Sequence, residues 1–443
     1  MSGTDGAISA ALRRLGVGTL AEAEAAEWRR GWRVVAGAAV GLGTGVSFYL
    51  MVSSLFIAGL TGEYKWSRGD MGTAGAVAFV VGAVSLSLVG KIIDRVGFRP
   101  VVLVCVPAMA ALYVMVALQP GSYALYLALM VWGGVFGAGT GAIAYTRPVV
   151  GAFARGRGLA LGVATCGVSI TSILLAPMLS ETIEAYGWRT GLYALAVFTV
   201  AVGLPLALWL IASAGPMQQG ARGALRASAA GEAVVHAEAA ADAADEVPGA
   251  GSLHVRDVAV GEAMRTPAFW FIVAGLFCVN VPGAGVVGQL APLITDKGLS
   301  AAATGYVMAI YAFGLLSGRL TTGIALDRVA PALVAAVMTA IPALGMTLLL
   351  VPEPSFALAA LAVLMIGIQQ GSEVDLIAFF VSRRFGLANY SAIYGRVATF
   401  GAVGTALGLV TFGWIHDATG AYDWALVVGA MAFAAGAAAF AGL

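Results

Sequence analysis

Apolar side chains follow one another along this chain in long unbroken stretches, which short polar stretches separate. A helix rises 1.5 Å per residue, so about 20 apolar residues cross the roughly 30 Å hydrocarbon core of a bilayer. Stretches of this length recur along the whole chain and predict membrane-spanning helices. The predicted helices cover 31–58, 72–90, 100–118, 123–150, 158–180, 189–213, 267–292, 301–325, 332–350, 356–381, 389–413 and 424–443. Strands of an outer-membrane barrel would instead alternate apolar and polar residues over about ten positions.

Composition supports a membrane protein. Hydrophobic residues make up 60% of the chain and charged residues only 11%, and the mean hydropathy is +0.91. Soluble domains are on average about one quarter charged. The predicted fold class is therefore an all-α integral membrane protein with twelve transmembrane helices in two six-helix bundles.

A polar, alanine-rich stretch divides the chain. It predicts a cytoplasmic linker over 214–266, because its composition suits a flexible connection. Residues 31–213 before it and 267–443 after it then form the two six-helix bundles. Residues 1–30 are predicted to be a cytoplasmic N-terminal segment.

The positive charges give the orientation. Lys and Arg residues are retained on the cytoplasmic side of membrane proteins. With the N-terminus inside, most of them fall on that side, and only Lys65, Arg68, Arg189 and Lys297 fall outside. Both termini are therefore predicted to be cytoplasmic, in a multi-pass protein of the inner (plasma) membrane.

The two halves of the chain repeat. "GKIIDRVGFR" (90–99) after the second helix returns as "GIALDRVAPA" (323–332) after the eighth, and "GAGTG" (137–141) in the fourth matches "GIQQG" (367–371) in the tenth. A repeat of six plus six helices is typical of a transporter whose halves rock about a central site. This repeat predicts that the two bundles are pseudo-symmetric.

The first of these loops resembles the signature of the major facilitator superfamily, read here as Gly90, Asp94, Arg95, Gly97 and Arg99. The resemblance implies a charged latch, in which Asp94 pairs with a nearby arginine and a helix N-terminus and lets go when the halves rock. Asp327 and Arg328 are the equivalent residues of the second half.

Further stretches resemble the monocarboxylate transporter and oxalate–formate antiporter group. They are "GEYKWSRGDMG" (62–72), "FARGRGLALGVATCGVSI" (153–170), "AYGWRTGLYAL" (185–195), "SEVDLIAFFVSRRFGLANYSAIYG" (372–395) and "GWIHDATGAYDWAL" (413–426). The chain departs from eukaryotic members at Leu315, where those proteins commonly carry a proton-coupling aspartate four residues before the arginine of the eighth helix. It also lacks their lysine in the first helix, so the animal-type proton route is not expected.

Five charged residues fall inside predicted helices: Arg147, Arg319, Glu373, Asp375 and Arg396. A charge at the bilayer centre costs on the order of 2.5 to 3.5 kcal/mol on insertion scales, so these side chains are not expected to face lipid. The three arginines and Asp375 each lie seven or eight residues from a predicted cytoplasmic boundary. At 1.5 Å per residue this is roughly 10 to 15 Å deep, which suggests that they meet around one cavity.

Each arginine has a functional and a structural interpretation. Arg319 matches the helix-eight arginine to which the resemblance assigns the substrate carboxylate, and a guanidinium can hold a carboxylate through two parallel hydrogen bonds; the alternative is an ion pair with Asp375 or Glu373. Arg396 would take the second carboxylate of a dianion or bridge to Glu373. Arg147 would contact the substrate or extend to the cytosol.

Glu373 and Asp375 lie about 200 degrees apart around a helix, so at most one of them points squarely at the cavity. One is predicted to neutralise an arginine in the empty protein and the other to carry a coupling proton; a purely structural ion pair is the alternative. Weaker candidates for hydrogen bonds to a bound acid are Tyr49, Asn280, Gln289, Tyr306, Tyr311, Gln369 and Gln370.

The predicted function is a secondary transporter of small organic anions, either mono- or dicarboxylates, that works by rocker-switch alternating access. Proton symport is preferred because the tenth helix carries acids. The alternatives are an oxalate–formate type anion exchanger and a multidrug or neutral-solute exporter. The expected partners are a carboxylate substrate, protons and lipid, with no nucleic acid, cofactor or metal. The protein is expected to be a monomer and not an enzyme.

Overall fold

The computed structural model describes residues 22–153, 157–213, 258–326, 328–386 and 389–443. Side chains are described for these residues apart from 22–26, 157, 158, 374, 375, 390 and 391. Most of the predicted N-terminal segment 1–30 and of the predicted linker 214–266 therefore lies outside the described residues.

Twelve helical spans within the described residues are long and apolar enough to cross a membrane. We number them spans 1 to 12: Val46–Tyr64, Arg68–Val96, Phe98–Leu118, Tyr123–Ala152, Leu159–Tyr186, Trp188–Ala212, Pro267–Asp296, Ala301–Leu326, Pro331–Leu348, Phe356–Phe385, Ala392–Thr419 and Asp423–Ala441. Apart from the start of span 1, their ends agree with the predicted ranges to within six residues. The predicted fold class is confirmed.

Several spans are composite. The helix Glu22–Gly43 precedes span 1, which consists of Val46–Val52, the 3₁₀ turn Ser53–Phe56 and Ile57–Tyr64. Span 4 consists of Tyr123–Gly137, the 3₁₀ turn Ala138–Thr140 and Ala142–Ala152. Span 6 consists of Trp188–Val197, the π turn Phe198–Gly203 and Leu204–Ala212. Spans 5 and 11 belong to the helices Arg157–Tyr186 and Tyr390–Thr419, and the short helix Val260–Ala263 precedes span 7.

The breaks before span 1 and within span 4 face each other. A Cβ at Gly45 would overlap the carbonyl oxygen of Thr140, and the Val46 N–H donates to Thr140 Oγ1 at 3.0 Å. Glycine at position 45 therefore lets two backbones touch, and the threonine hydroxyl satisfies an amide that begins a new helix.

Spans 1–6 and 7–12 form two bundles, which meet along spans 2 and 11 and along spans 5 and 8. The connections after spans 1, 3, 5, 7, 9 and 11 lie at one end, which we name the Asp417 end, and the connections after spans 2, 4, 8 and 10 lie at the other, which we name the Asp94 end. The two bundles thus share both ends, and any site between them is bounded by two possible openings.

Glycines bring spans 8 and 10 into backbone contact. A Cβ at Gly318 would overlap the carbonyl oxygen of Ile368, and a Cβ at Gly371 would overlap that of Leu315. Small residues allow such close approach between membrane helices. The repeated "GIQQG" stretch therefore forms the contact surface of span 10 against span 8.

We expect Gly318→Ala to destabilise the protein by about 1 to 3 kcal/mol, because the new methyl group forces the two backbones apart. Gly323→Ala is the matched control, since it lies one to two turns further along the same helix and a Cβ there meets nothing within 4 Å. Thermal unfolding in detergent should give a lower midpoint for the first variant only. Equal midpoints would show that the contact is not tight.

Candidate functional site

A cavity of about 210 Å³ lies between the two bundles, in the half of the spans nearer the Asp417 end. The first bundle contributes Tyr49, Leu50, Met51, Ser53, Phe56, Ile57, Leu60, Met71, Gly72, Gly75, Ala78, Phe79, Val116, Tyr126, Met130 and Leu192; the second contributes Asn280, Gly283, Ala284, Val287, Gly288, Tyr311, Gln370, Thr405 and Leu409. Both halves of the fold therefore hold whatever occupies this cavity, as expected for a central transport site.

Glu373 lies behind the polar wall of the cavity. Its Oε1 accepts a hydrogen bond from Asn280 Nδ2 at 2.8 Å, and its Oε2 accepts one from Gln370 Nε2 at 3.0 Å. Asn280 Oδ1 in turn accepts from Thr405 Oγ1 at 2.9 Å. Spans 7, 10 and 11 are thus joined by one network that ends in a half-buried carboxyl group.

No cation from the described residues lies within ion-pair distance of Glu373. The predicted ion pair between this carboxyl group and an arginine is therefore not formed. The side-chain amides of Asn280 and Gln370 donate hydrogen bonds to the carboxyl group instead. Asn280 was predicted to be a substrate ligand, and the structure places it both on the cavity wall and on Glu373.

Two residues that line the cavity each carry a buried polar atom without a hydrogen-bond partner among the described residues. These atoms are the Tyr311 hydroxyl and Gln370 Oε1. Tyr311 is only 2% exposed, and an unpaired buried polar group is costly unless something binds to it. Tyr49, another predicted ligand, also lines the cavity, and its ring packs on Tyr113 with the centroids 5.1 Å apart.

Arg319 lies where the two halves meet, eight residues beyond Tyr311 on span 8, which is about 12 Å closer to the Asp94 end. Its Nη1 donates to Thr165 Oγ1 of span 5 at 2.7 Å, and its buried Nε lacks a partner among the described residues. The guanidinium forms no ion pair with a described carboxylate. It is half-buried between spans rather than directed at lipid.

The structure does not bring the other predicted charges to this cavity. Arg396 is exposed and its Nη1 contacts the sulfur of Met264 at 3.3 Å, so the suggested bridge to Glu373 is absent. Arg147 instead pairs with Asp94. Asp375 lies on span 10, but its side chain is outside the described residues. The prediction that these charges meet around one cavity does not hold for Arg147 and Arg396, because equal depth does not place side chains on the same side of their helices.

The residues predicted to form the latch lie at the Asp94 end. Asp94 has the predicted arginine partner, which is Arg147 of the same bundle. Gly90 lies under span 4, where a Cβ would come within 3.1 Å of Ile143 Cδ1. Gly97 has φ of 87° and ends span 2, so the turn requires glycine. Three more latch residues, Arg95, Arg99 and Arg328, are exposed, and Asp327 is outside the described residues. The latch function stays a prediction.

Polar contacts close the Asp417 end. The Asp417 carboxylate of span 11 accepts hydrogen bonds from the Arg68 and Gly69 amides at 3.0 and 2.7 Å, which are the first free N–H groups of span 2. A carboxylate at a helix N-terminus is stabilised by those amides and by the helix dipole. Asp417 therefore ties the two halves together.

A second group of contacts surrounds this carboxylate. Gln289 Nε2 donates to the Arg68 carbonyl oxygen at 3.1 Å, and Gln289 Oε1 accepts from the Tyr422 hydroxyl at 3.0 Å. Asp296 lies 3.5 Å from Arg68 Nη2 and 3.3 Å from His416 Nε2. Gln289 also has non-helical dihedral angles, which kink span 7 next to the cavity.

Among the residues that sequence reasoning missed are Asp417, Thr165 and Thr405. Nothing in the local pattern distinguishes them, because a carboxylate after an apolar run resembles an ordinary loop charge and threonines are common in membrane helices. Their partners lie in distant parts of the chain.

The family model described as the Major Facilitator Superfamily matches residues 34–409, which is most of the chain. This chain belongs to the major facilitator superfamily. The resemblance seen in the loop at 90–99 is confirmed at the level of the superfamily, and the protein is a transporter of that fold.

Curated relatives match parts of this transporter. It is 31% identical to mouse (Mus musculus) monocarboxylate transporter 11 over 175 residues, covering 38% of each chain, and 32% identical to the human (Homo sapiens) protein over 189 residues, covering 40% of this chain and 39% of that one. It is 24% identical over 143 residues to the uncharacterized MFS-type transporter YhjX of Escherichia coli K12, covering 32% and 36%. The matched region spans about two fifths of these relatives or less.

Solved structures share the fold at low sequence identity. A bacterial homolog of the human lysosomal transporter Spinster, in an inward-facing and unoccupied conformation, superposes with a TM-score of 0.60 at 15% identity, covering 93% of both chains. The occupied inward-facing form of a bacterial Spinster homolog gives 0.58, also at 15% identity, covering 93% of this chain and 92% of that one. These similarities concern the fold alone.

Proposed function

We propose that this transporter moves an organic acid anion together with a proton by rocker-switch alternating access. The cavity between the two bundles is the proposed substrate site. With the N-terminus cytoplasmic, as the positive charges predict, the closed Asp417 end faces outward. The partial similarity to monocarboxylate transporter 11 supports a carboxylate substrate.

Glu373 is the observation on which proton coupling rests. Its carboxyl group is held by two amides and has no described cation nearby, so its charge is free to change. An anion in the adjacent cavity repels an ionised Glu373, and binding a proton removes that repulsion. We therefore assign the coupling proton to Glu373; the alternative site, Asp375, stays a prediction.

This arrangement gives electroneutral transport. The loaded cavity contains one carboxylate from the substrate and a neutral Glu373, and the empty cavity contains an ionised Glu373. Both forms have the same net charge, so both can cross between the two conformations at similar electrostatic cost. One proton then moves with each anion.

Arg319 is proposed to bind the anion on its way between the cavity and the Asp94 end. Its guanidinium has donors that no described carboxylate occupies, and it lies about two turns from Tyr311 on the same helix. A cation at the approach to a cavity whose described lining residues carry no charge attracts anions and repels cations.

The test is uptake of labelled phenylacetate into proteoliposomes with an acidic exterior and no internal substrate. We expect initial rates well above those of protein-free vesicles, which correct for acid that crosses the bilayer alone. Uptake that depends strictly on preloaded anion would replace symport with exchange.

Arg319→Ala separates an anion carrier from a neutral-solute exporter. We expect this variant to lose at least tenfold in apparent affinity for phenylacetate, with Arg319→Lys intermediate, because lysine keeps the charge but not the planar pair of donors. Thr165→Ala is the matched control, since it removes only the hydroxyl that accepts a hydrogen bond from Arg319. Transport that is unchanged in Arg319→Ala would favour the exporter.

A further inference from the structure

The two halves contribute chemically different walls to the cavity. The first bundle supplies mainly apolar side chains, among them Met51, Phe56, Leu60, Met71 and Phe79, and the hydroxyl-bearing residues Tyr49, Ser53 and Tyr126. The second bundle supplies the polar groups of Asn280, Tyr311, Gln370 and Thr405. An occupant that satisfies both walls has a polar head on one side and an apolar body on the other.

The polar atoms without a described partner indicate the chemistry of the substrate's polar group. The Tyr311 hydroxyl can donate a hydrogen bond, and Gln370 Oε1 can only accept one. A substrate carboxylate can accept a hydrogen bond from the tyrosine hydroxyl. When Glu373 binds its proton, a flip of the Gln370 side-chain amide lets Gln370 Oε1 accept from the Glu373 O–H and leaves Nε2 to donate to the substrate carboxylate. The single proton of the loaded cavity then stays on Glu373, as the proposed function assigns it.

The lining also limits the head to one carboxyl group. Of the described residues that line the cavity, none is charged, and Arg319 and Arg396 are not among them. A second carboxylate would be buried without a cation against an apolar wall, where an unpaired charge is strongly disfavoured.

The cavity thus places a polar wall, on which Tyr311 and Gln370 carry polar atoms without a partner among the described residues, beside an uncharged apolar wall. From this juxtaposition we infer that the substrate is a monocarboxylic acid with a bulky apolar body, such as an aryl or branched alkyl acid. Dicarboxylates and small hydroxy acids are excluded as good substrates. This inference rests on the proposed function and narrows its substrate class.

Thermal stabilisation of the purified full-length protein at mildly acidic pH tests this inference with four probes. They are phenylacetate, its neutral isostere phenylacetamide, the dicarboxylate succinate, and lactate as a small hydroxy acid. We expect phenylacetate to bind at least tenfold more tightly than each of the other three.

The outcomes separate the two proposals. Succinate or lactate binding as tightly as phenylacetate would overturn the apolar-body inference and leave the carboxylate transporter intact. Phenylacetamide binding equally well, or stabilisation by none of the probes, would overturn both.

A designed change of specificity provides a second readout. Met51→Arg places a cation on the apolar wall of the cavity, and we expect it to improve succinate binding at least tenfold relative to phenylacetate. Met51→Leu is the matched control, since it conserves volume and apolar character, and it should keep the wild-type preference. If Met51→Arg folds normally and its preference for phenylacetate over succinate is unchanged, Met51 does not contact the substrate.

Discussion

Replacing Glu373 with glutamine is expected to abolish proton-driven accumulation of the acid while leaving exchange of internal for external acid within a few-fold of wild type. At an effective dielectric constant of about 20, two like charges roughly 6 Å apart repel by about 3 kcal/mol, which corresponds to about a hundredfold in population. The substrate anion therefore enters the cavity with a neutral Glu373, and glutamine imitates that form permanently.

Exchange requires only the loaded protein to change conformation, so Glu373→Gln should still perform it. Net uptake requires the carboxyl group to release its proton and return empty, which glutamine cannot do. The measurement compares both modes in the same proteoliposomes, with and without an acidic exterior. Glu184→Gln, which removes an exposed carboxylate near the end of span 5, is the matched control and should behave like wild type. Undiminished accumulation in Glu373→Gln would move the coupling site elsewhere.

Removing the carboxylate of Asp417 is expected to open the Asp417 end. Its side chain satisfies two backbone amides at the start of span 2 across the boundary between the halves. Loss of a capping acceptor costs about 0.5 to 2 kcal/mol, and loss of an anion at a helix N-terminus costs up to about 1 kcal/mol more. Asp417→Ala should therefore raise the population open at this end by between about twofold and about a hundredfold.

The measurement uses a cysteine at the cavity residue Ser53, in a background without Cys105, Cys166 and Cys278. A membrane-impermeant maleimide should label it faster when Asp417 is alanine, and Asp417→Asn should give an intermediate rate because it keeps one acceptor oxygen. Asp423→Ala is the matched control, because its carboxylate binds Lys297 at 2.8 Å within one half. Equal labelling rates in Asp417→Ala and Asp423→Ala would mean that the carboxylate does not hold the halves together.

The spans could be predicted from sequence because their signal is local. Membrane helices need unbroken apolar runs of a certain length, and that property belongs to each stretch by itself. The break at Gly45 and the kink at Gln289 could not be predicted, because neither residue is an obligate helix breaker. Both irregularities are stabilised by contacts with residues far away in the chain.

The site was predicted in part, for a related reason. Spacing along a helix gives the depth of Arg147, Arg319 and Arg396 but not the direction each helix faces after packing. Tyr311, Asn280 and Tyr49 were named only as polar residues within predicted helices that could bind an acid, and they do line the cavity. The amide partners of Glu373 and the inter-half role of Asp417 are tertiary contacts that no sequence spacing encodes.

The glycine contacts between spans 8 and 10 have a mechanical consequence. Because their backbones touch, these two helices cannot slide or splay independently without losing that contact. Arg319 is carried by one of them and Glu373 by the other, so a tilt of this pair displaces the anion receptor and the proton carrier together, as one rigid unit.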